Sequence, residues 1–222
     1  MIVCAILFTN NSSERIESIV LGARNVLEPD IYVLDKGSTD DTIAIAADAG
    51  ARFLHYEASG QPSVIQALQQ VHELGYTHAV LLNANNQTHR PELIPMFVSA
   101  FWQDPRTIFV AAGKQKTRAS FSNALLTASA MCPIRDAWNG FRGYPVADVL
   151  NLTAVKNDMY FDAEILVRAA WAGLTTRHLE VDTFCPDESR IGNSPEAILF
   201  SLRLFGRGVM HMPSLLRRRL AL

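Results

Sequence analysis

The sequence predicts one α/β domain: a three-layer sandwich in which helices cover both faces of a mostly parallel β-sheet. Its 222 residues, 49% of them hydrophobic, can bury one full core but leave little material for a second one. Apolar runs of strand length alternate with helical patterns along the first half of the chain. Polar turn residues and helix caps separate these segments, which is typical of repeated strand–helix–strand units.

The predicted elements follow one another in strict alternation up to residue 112. Repeated units of this kind require parallel strands joined by right-handed crossovers, and ligands then bind at the carboxyl ends of the strands. The predicted strands are 2–8, 31–34, 52–56, 78–82 and 107–112, and the predicted helices are 16–23, one from Ser38 or Thr39 to Gly50, 63–74 and 91–103.

The pattern becomes less regular after Gly113. A basic segment at 114–118 precedes a predicted helix at 120–129, and the turn-rich stretch 132–145 is expected to form an irregular loop on the acceptor side of the site. A helix at 161–171 and a returning strand at 175–181 complete the predicted domain. We therefore expect a domain over 1–183 and a C-terminal extension over 184–222.

Charge and cysteine content narrow the class of protein. The chain has 20 Lys and Arg against 22 Asp and Glu, a formal net charge of -2, so no overall attraction to nucleic acid is expected. Its three cysteines lack C-x-x-C spacing, as reduced cytosolic thiols do. The apolar N-terminus is interpreted as a core strand, and no stretch reaches the ~20 apolar residues of a membrane span. We therefore expect a soluble, cytoplasmic protein that is at most peripheral to the inner face of a membrane.

The C-terminal extension is basic and apolar. No acidic residue follows Glu196, whereas Arg203, Arg207 and 217–219 are interleaved with leucine and phenylalanine. Such a segment can lie on anionic lipid headgroups. The alternative is a helix that packs on the domain and ends in solvated arginines.

Five segments of the chain match segments of one enzyme family that follow one another in the same order. They are 33–42 (VLDKGSTDDT), 8–11 (FTNN), 83–87 (NANNQ), 136–142 (with Asp136 and the run NGFR) and 161–169 (FDAEILVRA). The first resembles the V-V-D-D-G-S-T-D-D-T segment of family 2 glycosyltransferases, in particular the polyprenyl-phosphate sugar transferases of the dolichol-phosphate mannose synthase type. The others resemble that family's P-x-x-N, D-A-D-x-Q, D-x-x-S-G-F-R and F-x-x-E-I-L-V-R-A segments, and Arg118 with Ser120 loosely resembles its R-x-x-S segment.

The resemblance implies a GT-A fold and a set of nucleotide-binding residues. The loop after the first strand and the end of the second would hold the base and ribose, with the Asp35 carboxylate accepting hydrogen bonds from them. An alternative for the segment 35–38 is a plain strand-to-helix turn with a cap. The implied nucleotide-binding residues are Thr9, Asn11, Asp35, Gly37, Ser38 and Asn83.

The sequence departs from the family where the metal should bind. Asn83 and Asn85 stand in place of the D-x-D carboxylates that hold Mg²⁺ or Mn²⁺, so at position 85 we expect weak metal binding or none. The segment also holds one extra residue before Pro91. Lys36 replaces an aspartate, and it or Arg90 could pair with phosphate in place of a metal. The alternative is that both are solvated surface residues.

The resemblance also implies catalytic residues. Arg118 and Arg142 would contact phosphate oxygens, and Asp136 and Glu164 would orient these arginines. An alternative for Arg142 is a structural ion pair with Asp136. The six histidines show no metal-ligand spacing and are interpreted as ordinary core or surface residues.

Two function classes follow. The first is a transferase that moves a sugar from a UDP- or GDP-linked donor to a lipid phosphate, such as polyprenyl phosphate, or a similar acceptor. It would act by direct displacement at the anomeric carbon, with arginines stabilising the departing diphosphate. The second is a catalytically silent relative that binds a nucleotide or a protein partner. The retained Asp35, NGFR and helix 161–169 favour the first, and the lost carboxylates favour the second.

Overall fold

The computed structural model describes residues 1–27, 30–58, 61–113, 121–152, 160–182 and 192–220. Seven strands in these ranges form one sheet of order β3-β2-β1-β4-β6-β5-β7. All pairings are parallel except those of β6, which runs antiparallel to both β4 and β5. The strands are β1 (Val3–Thr9), β2 (Ile31–Asp35), β3 (Arg52–Leu54), β4 (His78–Asn83), β5 (Thr107–Gly113), β6 (Arg142–Pro145) and β7 (Thr175–Val181).

Eight α-helices in the described ranges cover the sheet. They are α1 (Ile16–Leu27), α2 (Thr42–Asp48), α3 (Ser63–Glu73), α4 (Ile94–Gln103), α5 (Phe121–Ala130), α6 (Val146–Leu150), α7 (Phe161–Ala172) and α8 (Pro195–Leu220), with a 3-10 turn at Pro91–Leu93 before α4.

Alternation along the strands divides the core into two layers. In β1, Cys4 and Ile6 belong to the layer that contains α3, α5 and α7, whereas Ala5 and Leu7 belong to the layer that contains α1 and α4. Side chains of a strand point to opposite faces in turn, so both faces of β1 are buried and its sequence is uniformly apolar. The three-layer sandwich that the sequence predicts is confirmed.

The main error of the sequence-based prediction is the loop expected at 132–145. Arg142–Pro145 instead forms β6, which lies between β4 and β5, and α6 follows it directly. The four residues RGYP are all buried, yet they are too few and too rich in glycine and proline to show strand periodicity. Gly143 is needed because a Cβ there would lie 2.6 Å from Phe101 Cζ and 2.9 Å from Phe97 Cδ1.

The C-terminal helix α8 packs on α5 and α7 through one face. Ala197, Ser201 and Leu204 are buried on that face, and Leu199 and Leu202 are exposed on the other. Across the described ranges, no helix combines the length and apolar character that a bilayer crossing would need.

Candidate functional site

The carboxyl ends of β1, β2 and β4 meet at one edge of the sheet. Thr9 pairs with Asp35 across β1 and β2, and Phe8 pairs with Asn83 across β1 and β4. A cleft opens at this edge, with a volume of about 180 Å³. Ligand pockets are usually about 300–1,000 Å³, so the cleft by itself is smaller than a typical ligand site. The polar side chains that line the cleft are Thr9, Asn10, Lys36, Ser63, Asn83, Asn85 and Asp162.

The loops after β1 and β2 are tied together by Asn11. Its backbone N–H donates to Ser38 Oγ at 2.8 Å, and its side-chain Oδ1 accepts from Thr39 N at 2.8 Å. Asn11 has a left-handed backbone conformation (φ 51°), which asparagine tolerates better than most residues. It lines a shallower pocket beside the cleft, which Asn85 also borders. Asn11 therefore fixes the rim of the site in this structure.

The Asp35 carboxylate closes the turn after β2. Its Oδ2 accepts from the backbone N–H groups of Gly37 (2.9 Å) and Ser38 (2.8 Å), and its Oδ1 accepts from the Ser38 hydroxyl. Gly37 has a φ of 93°, a conformation that favours glycine. This is the arrangement of the alternative interpretation, a capped turn. Asp35, Gly37 and Ser38 are not among the described residues that line the cleft.

Strand alternation places Lys36 on the cleft side of this edge. Leu34 in β2 and Leu81 in β4 belong to the same core layer. Lys36 and Asn83 lie two residues further along the chain than Leu34 and Leu81, so they come to the same side of the sheet, where both line the cleft. The Lys36 backbone is held on both sides, because its N–H donates to Thr9 O at 2.9 Å and its carbonyl accepts from Asn10 Nδ2 at 3.1 Å. Its Nζ lies 6.0 Å from the centroid of the Tyr56 ring.

Arg90, the other cation considered as a metal substitute, lies elsewhere. Its side chain is 57% exposed, and its Nε is 3.7 Å from Glu92 Oε2. It is not among the residues that line the cleft. The solvated-surface interpretation therefore describes Arg90, whereas Lys36 is half-buried at the site.

The amide pair Asn83 and Asn85 forms a hydrogen-bonded turn. Asn83 Oδ1 accepts from the backbone N–H of Asn85 at 2.9 Å, and Asn85 Oδ1 accepts from the Ser12 hydroxyl. Asn85 Nδ2 donates to Asn10 O at 2.7 Å, which joins the end of β4 to the loop after β1. Both side chains lie at the cleft, as the motif placement predicts.

These residues do not fit a divalent cation such as Mg²⁺ or Mn²⁺. Both amide oxygens already accept protein hydrogen bonds, and neither carries the formal charge that hard cations favour. Among the described residues, no group of three or more His, Cys, Asp or Glu side chains is arranged to hold a metal. Asp162 is the one carboxylate among the described cleft residues.

The buried residues His89 and Asn139 form a chain of hydrogen bonds that reaches the backbone of Asn83. The His89 ring is buried; Nδ1 accepts from Asn83 N at 2.8 Å, and Nε2 lies 3.2 Å from Asn139 Oδ1. This geometry requires a neutral ring with its proton on Nε2. Burial lowers the pKa of His89 to about 3, with smaller contributions from Arg15 and Arg142. Asn139 Nδ2 in turn donates to Ala111 O at 3.0 Å.

Arg142 holds the segment beneath the cleft and is not placed to contact a ligand directly. It begins β6, its side chain is 0% exposed, and it donates to the carbonyl oxygens of Asn139 (2.6 Å), Ala137 (2.7 Å) and Asp162. Its Nε is 3.7 Å from Asp162 Oδ1, so its recorded ion pair is with Asp162 rather than Asp136. The expectation that Arg142 lies in an edge loop is wrong, because four buried residues here complete the sheet.

Of the other predicted catalytic residues that the structure describes, neither Asp136 nor Glu164 lines the cleft. Glu164 is buried in α7, where Oε1 accepts from Arg168 Nε at 2.6 Å, so it orients Arg168 rather than Arg142. Asp136 has a φ of 49°, and its Oδ2 accepts from Gly113 N at 3.1 Å. Arg118 lies outside the described residues.

Two site residues were missed from sequence. His89 was interpreted as an ordinary histidine. It lies in the segment that holds one extra residue before Pro91, and that insertion was the sequence feature that could have indicated a special role. Asp162 lies in the first turn of the predicted helix 161–171, and nothing in its spacing showed that it would line the same cleft as Asn83. The contact of His89 with Asn139 joins positions 50 residues apart, and the contact of Asp162 with Arg142 joins two separate elements, α7 and β6.

Comparison with known proteins adds evidence about the fold. No family model and no curated protein matches the sequence. Glucosyl-3-phosphoglycerate synthase from Mycobacterium tuberculosis, in complex with Mg²⁺ and UDP, superposes with a TM-score of 0.69 at 16% identity, covering 92% of this chain and 79% of that one. The same synthase with Mn²⁺, UDP-glucose and phosphoglyceric acid gives 0.67 at 16% identity over 92% and 79%. A mycobacterial protein gives 0.66 at 17% identity over 90% and 73%.

Likeness at this level of identity establishes architecture alone. The predicted fold class is confirmed: the chain has the GT-A fold, an α/β fold with a mostly parallel seven-stranded sheet.

Proposed function

We propose that this protein is a glycosyltransferase that takes a sugar from a nucleotide-sugar donor and passes it to a phosphate-bearing acceptor. The observation that carries the proposal is the polar cleft at the carboxyl ends of β1, β2 and β4, in a fold shared with a synthase bound to UDP-glucose. Ligands of open α/β sheets bind at this edge. The resemblance to polyprenyl-phosphate sugar transferases supports a lipid phosphate as the acceptor.

The chemistry is a direct displacement. An acceptor oxygen bonds to the anomeric carbon while the bond from that carbon to the diphosphate breaks, and the bonding electrons leave with the nucleoside diphosphate. An acceptor phosphate is already an anion at neutral pH, so no general base is required for it. A hydroxyl acceptor would need one, and Asp162 is the carboxylate at the cleft.

The C-terminal helix supports a place beside a membrane. Leu199, Leu202 and Val209 are exposed on α8, and Arg203 and Arg207 are exposed beside them. Exposed leucines with arginines suit an anionic lipid surface. Sedimentation with phosphatidylglycerol vesicles, but not with phosphatidylcholine vesicles, is expected, and Arg203→Glu with Arg207→Glu should abolish it. Equal sedimentation of the wild type with both lipids, or of the variant with anionic vesicles, would contradict this part of the proposal.

A catalytically silent, nucleotide-binding protein is the second candidate. The amide oxygens of Asn83 and Asn85, which serve a hydrogen-bonded turn, favour it. Titration calorimetry with UDP-glucose and GDP-mannose tests binding, and a transfer assay with phosphoglycerate and with polyprenyl phosphate in detergent tests turnover. Transfer to either acceptor supports the enzyme and names the acceptor class. Binding without transfer supports the silent protein, and absence of binding to any nucleotide sugar overturns both.

A further inference from the structure

We infer that Lys36 supplies the positive charge for the donor's diphosphate, so that the cleft binds the nucleotide sugar without a divalent cation. This inference rests on the proposed function and assigns a role to one residue of the same site. A diphosphate leaving group develops negative charge that must be balanced by a metal ion or by cationic side chains. The question is therefore which group in this cleft provides that charge.

The residues at the metal position are unsuited to the task. Asn83 and Asn85 contribute no formal charge, and their Oδ1 atoms accept from Asn85 N and from the Ser12 hydroxyl. A cation at these oxygens would have to share them with the hydrogen bonds from Asn85 N and the Ser12 hydroxyl, without any formal charge to attract it. The cleft is thus organised around hydrogen bonds at the place where a metal would have to bind.

Lys36 occupies the cleft because it directly follows β2 and because hydrogen bonds hold its backbone. Strand alternation directs position 36 to the cleft face, and hydrogen bonds from its N–H to Thr9 and from Asn10 to its carbonyl fix its backbone. Tyr56 flanks the side chain, with the ring centroid 6.0 Å from Nζ, within the range of a cation–π contact. Lys36 and Asn83 thus line the same cleft, with the ammonium group near the Tyr56 ring.

Among the described residues, the other cations near this edge do not line the cleft. Arg15 Nη1 donates to Ala84 O at 2.6 Å, Arg142 is fully buried, and Arg90 lies beside Glu92 away from the cleft. Of the described residues that line the cleft, Lys36 is the cationic one. When the bond from the anomeric carbon to the diphosphate breaks, its ammonium would donate hydrogen bonds to the departing oxygens, and no proton has to be transferred.

Calorimetry with UDP tests this inference, in EDTA and again with Mn²⁺. We expect binding in EDTA with an affinity within about two-fold of that in Mn²⁺. Lys36→Gln should weaken binding about ten- to hundred-fold, the factor that a hydrogen bond to a charged group provides, whereas Lys36→Arg should stay within a few-fold of wild type. Arg90→Gln is the matched control and should bind as wild type does. Lys36 is half-buried and outside the core, so Lys36→Gln should keep the wild-type melting temperature.

Two outcomes would overturn the inference while leaving the proposed function in place: UDP binding that requires Mn²⁺, or binding to Lys36→Gln with wild-type affinity. Failure of UDP, UDP-glucose and GDP-mannose to bind with or without Mn²⁺ would instead overturn the proposed function, and the inference with it. Pyrophosphate titrated in EDTA isolates the charge effect from recognition of the base. Its affinity should fall in Lys36→Gln and not in Arg90→Gln, and an equal affinity in all three proteins would count against Lys36.

Discussion

The Nδ1 atom of His89 accepts a hydrogen bond from the backbone N–H of Asn83 at 2.8 Å, which links the amide pair of the cleft to the interior of the domain. The other ring nitrogen reaches Asn139, whose side chain also accepts from Phe141 N at 2.7 Å and donates to Ala111 O. The end of β4 is thereby held against β5 and the start of β6. A site whose residues are supported in this way keeps its geometry without a bound ion.

His89 should make stability depend on pH. In the folded chain its pKa is about 3, whereas in the unfolded chain it is near 6.5. Between these values the unfolded state binds an additional proton, so the free energy of unfolding should fall as pH falls, by up to about 1.4 kcal/mol per pH unit. His89→Gln retains a donor for Asn139 but cannot titrate, so it should lose this component. Urea unfolding at pH 7, 6, 5 and 4 measures it.

The exposed His55 supplies the control for this series. His55→Gln makes the same substitution at a ring that is 76% exposed, and its unfolding curves should follow those of the wild type. His78 and His178 also have lowered pKa values through burial, and they contribute equally to every variant. The prediction is contradicted if wild type and His89→Gln lose stability in parallel between pH 6 and pH 4.

Removal of the Arg142 guanidinium should destabilise the domain strongly. Arg142→Met would leave the carbonyl oxygens of Ala137, Asn139 and Asp162 without their donor, at a cost of about 3–5 kcal/mol in the free energy of unfolding. Asp162→Asn keeps the backbone carbonyl but removes the negative charge 3.7 Å from the buried guanidinium, so it should cost less than Arg142→Met, about 1–3 kcal/mol. Denaturant titration compares the two, and similar midpoints for Arg142→Met and wild type would contradict the structural role.

The sequence predicted the strands that have clear apolar patterns and the edge at which the site lies. β1 and β4 are nearly uniform apolar runs because both of their faces are buried, and parallel strands bring Asp35 and Asn83 to one edge. Burial of an arginine inside a four-residue strand could not be read from RGYP, since arginine and glycine both suggest a loop. The hydrogen bonds that Asp35 accepts from Gly37 and Ser38 could not be predicted either, because no spacing encodes them.

Gly140 in the NGFR segment and Gly143 directly after it should differ strongly in their tolerance of substitution by alanine. Gly143→Ala would place a Cβ 2.6 Å from Phe101 Cζ and 2.9 Å from Phe97 Cδ1, both in fully buried rings. Overpacking of this kind costs about 1–3 kcal/mol. Gly140→Ala meets Asp162 Oδ2 at 3.4 Å, an ordinary contact, and should change stability by about 0.5 kcal/mol or less. Thermal unfolding of both variants tests this, and equal melting temperatures would show that β6 is packed differently.

Carboxylates at the amide pair should create a metal site where the present residues do not provide one. Asn83→Asp keeps an oxygen to accept from Asn85 N, so the turn survives that change. Asn85→Asp loses the donor to Asn10 O, a cost of about 0.5–1.5 kcal/mol, but keeps an acceptor for Ser12. Two carboxylates two residues apart at the end of β4 would supply charged oxygen ligands for Mn²⁺. UDP calorimetry of the double variant should therefore show affinity that increases with Mn²⁺.

The matched control is Asn86→Asp, which adds a negative charge to the same loop at a residue outside the cleft lining. Its UDP affinity should not respond to Mn²⁺, because its Oδ1 accepts from Thr88 N at 3.0 Å and is held in a local turn. If Asn83→Asp with Asn85→Asp bound UDP with the same affinity in EDTA and in Mn²⁺, the end of β4 would not be the place where a cation meets the diphosphate. The charge argument for Lys36 would then lose its geometric basis, since it depends on the amide pair and the ammonium group facing the same phosphate oxygens.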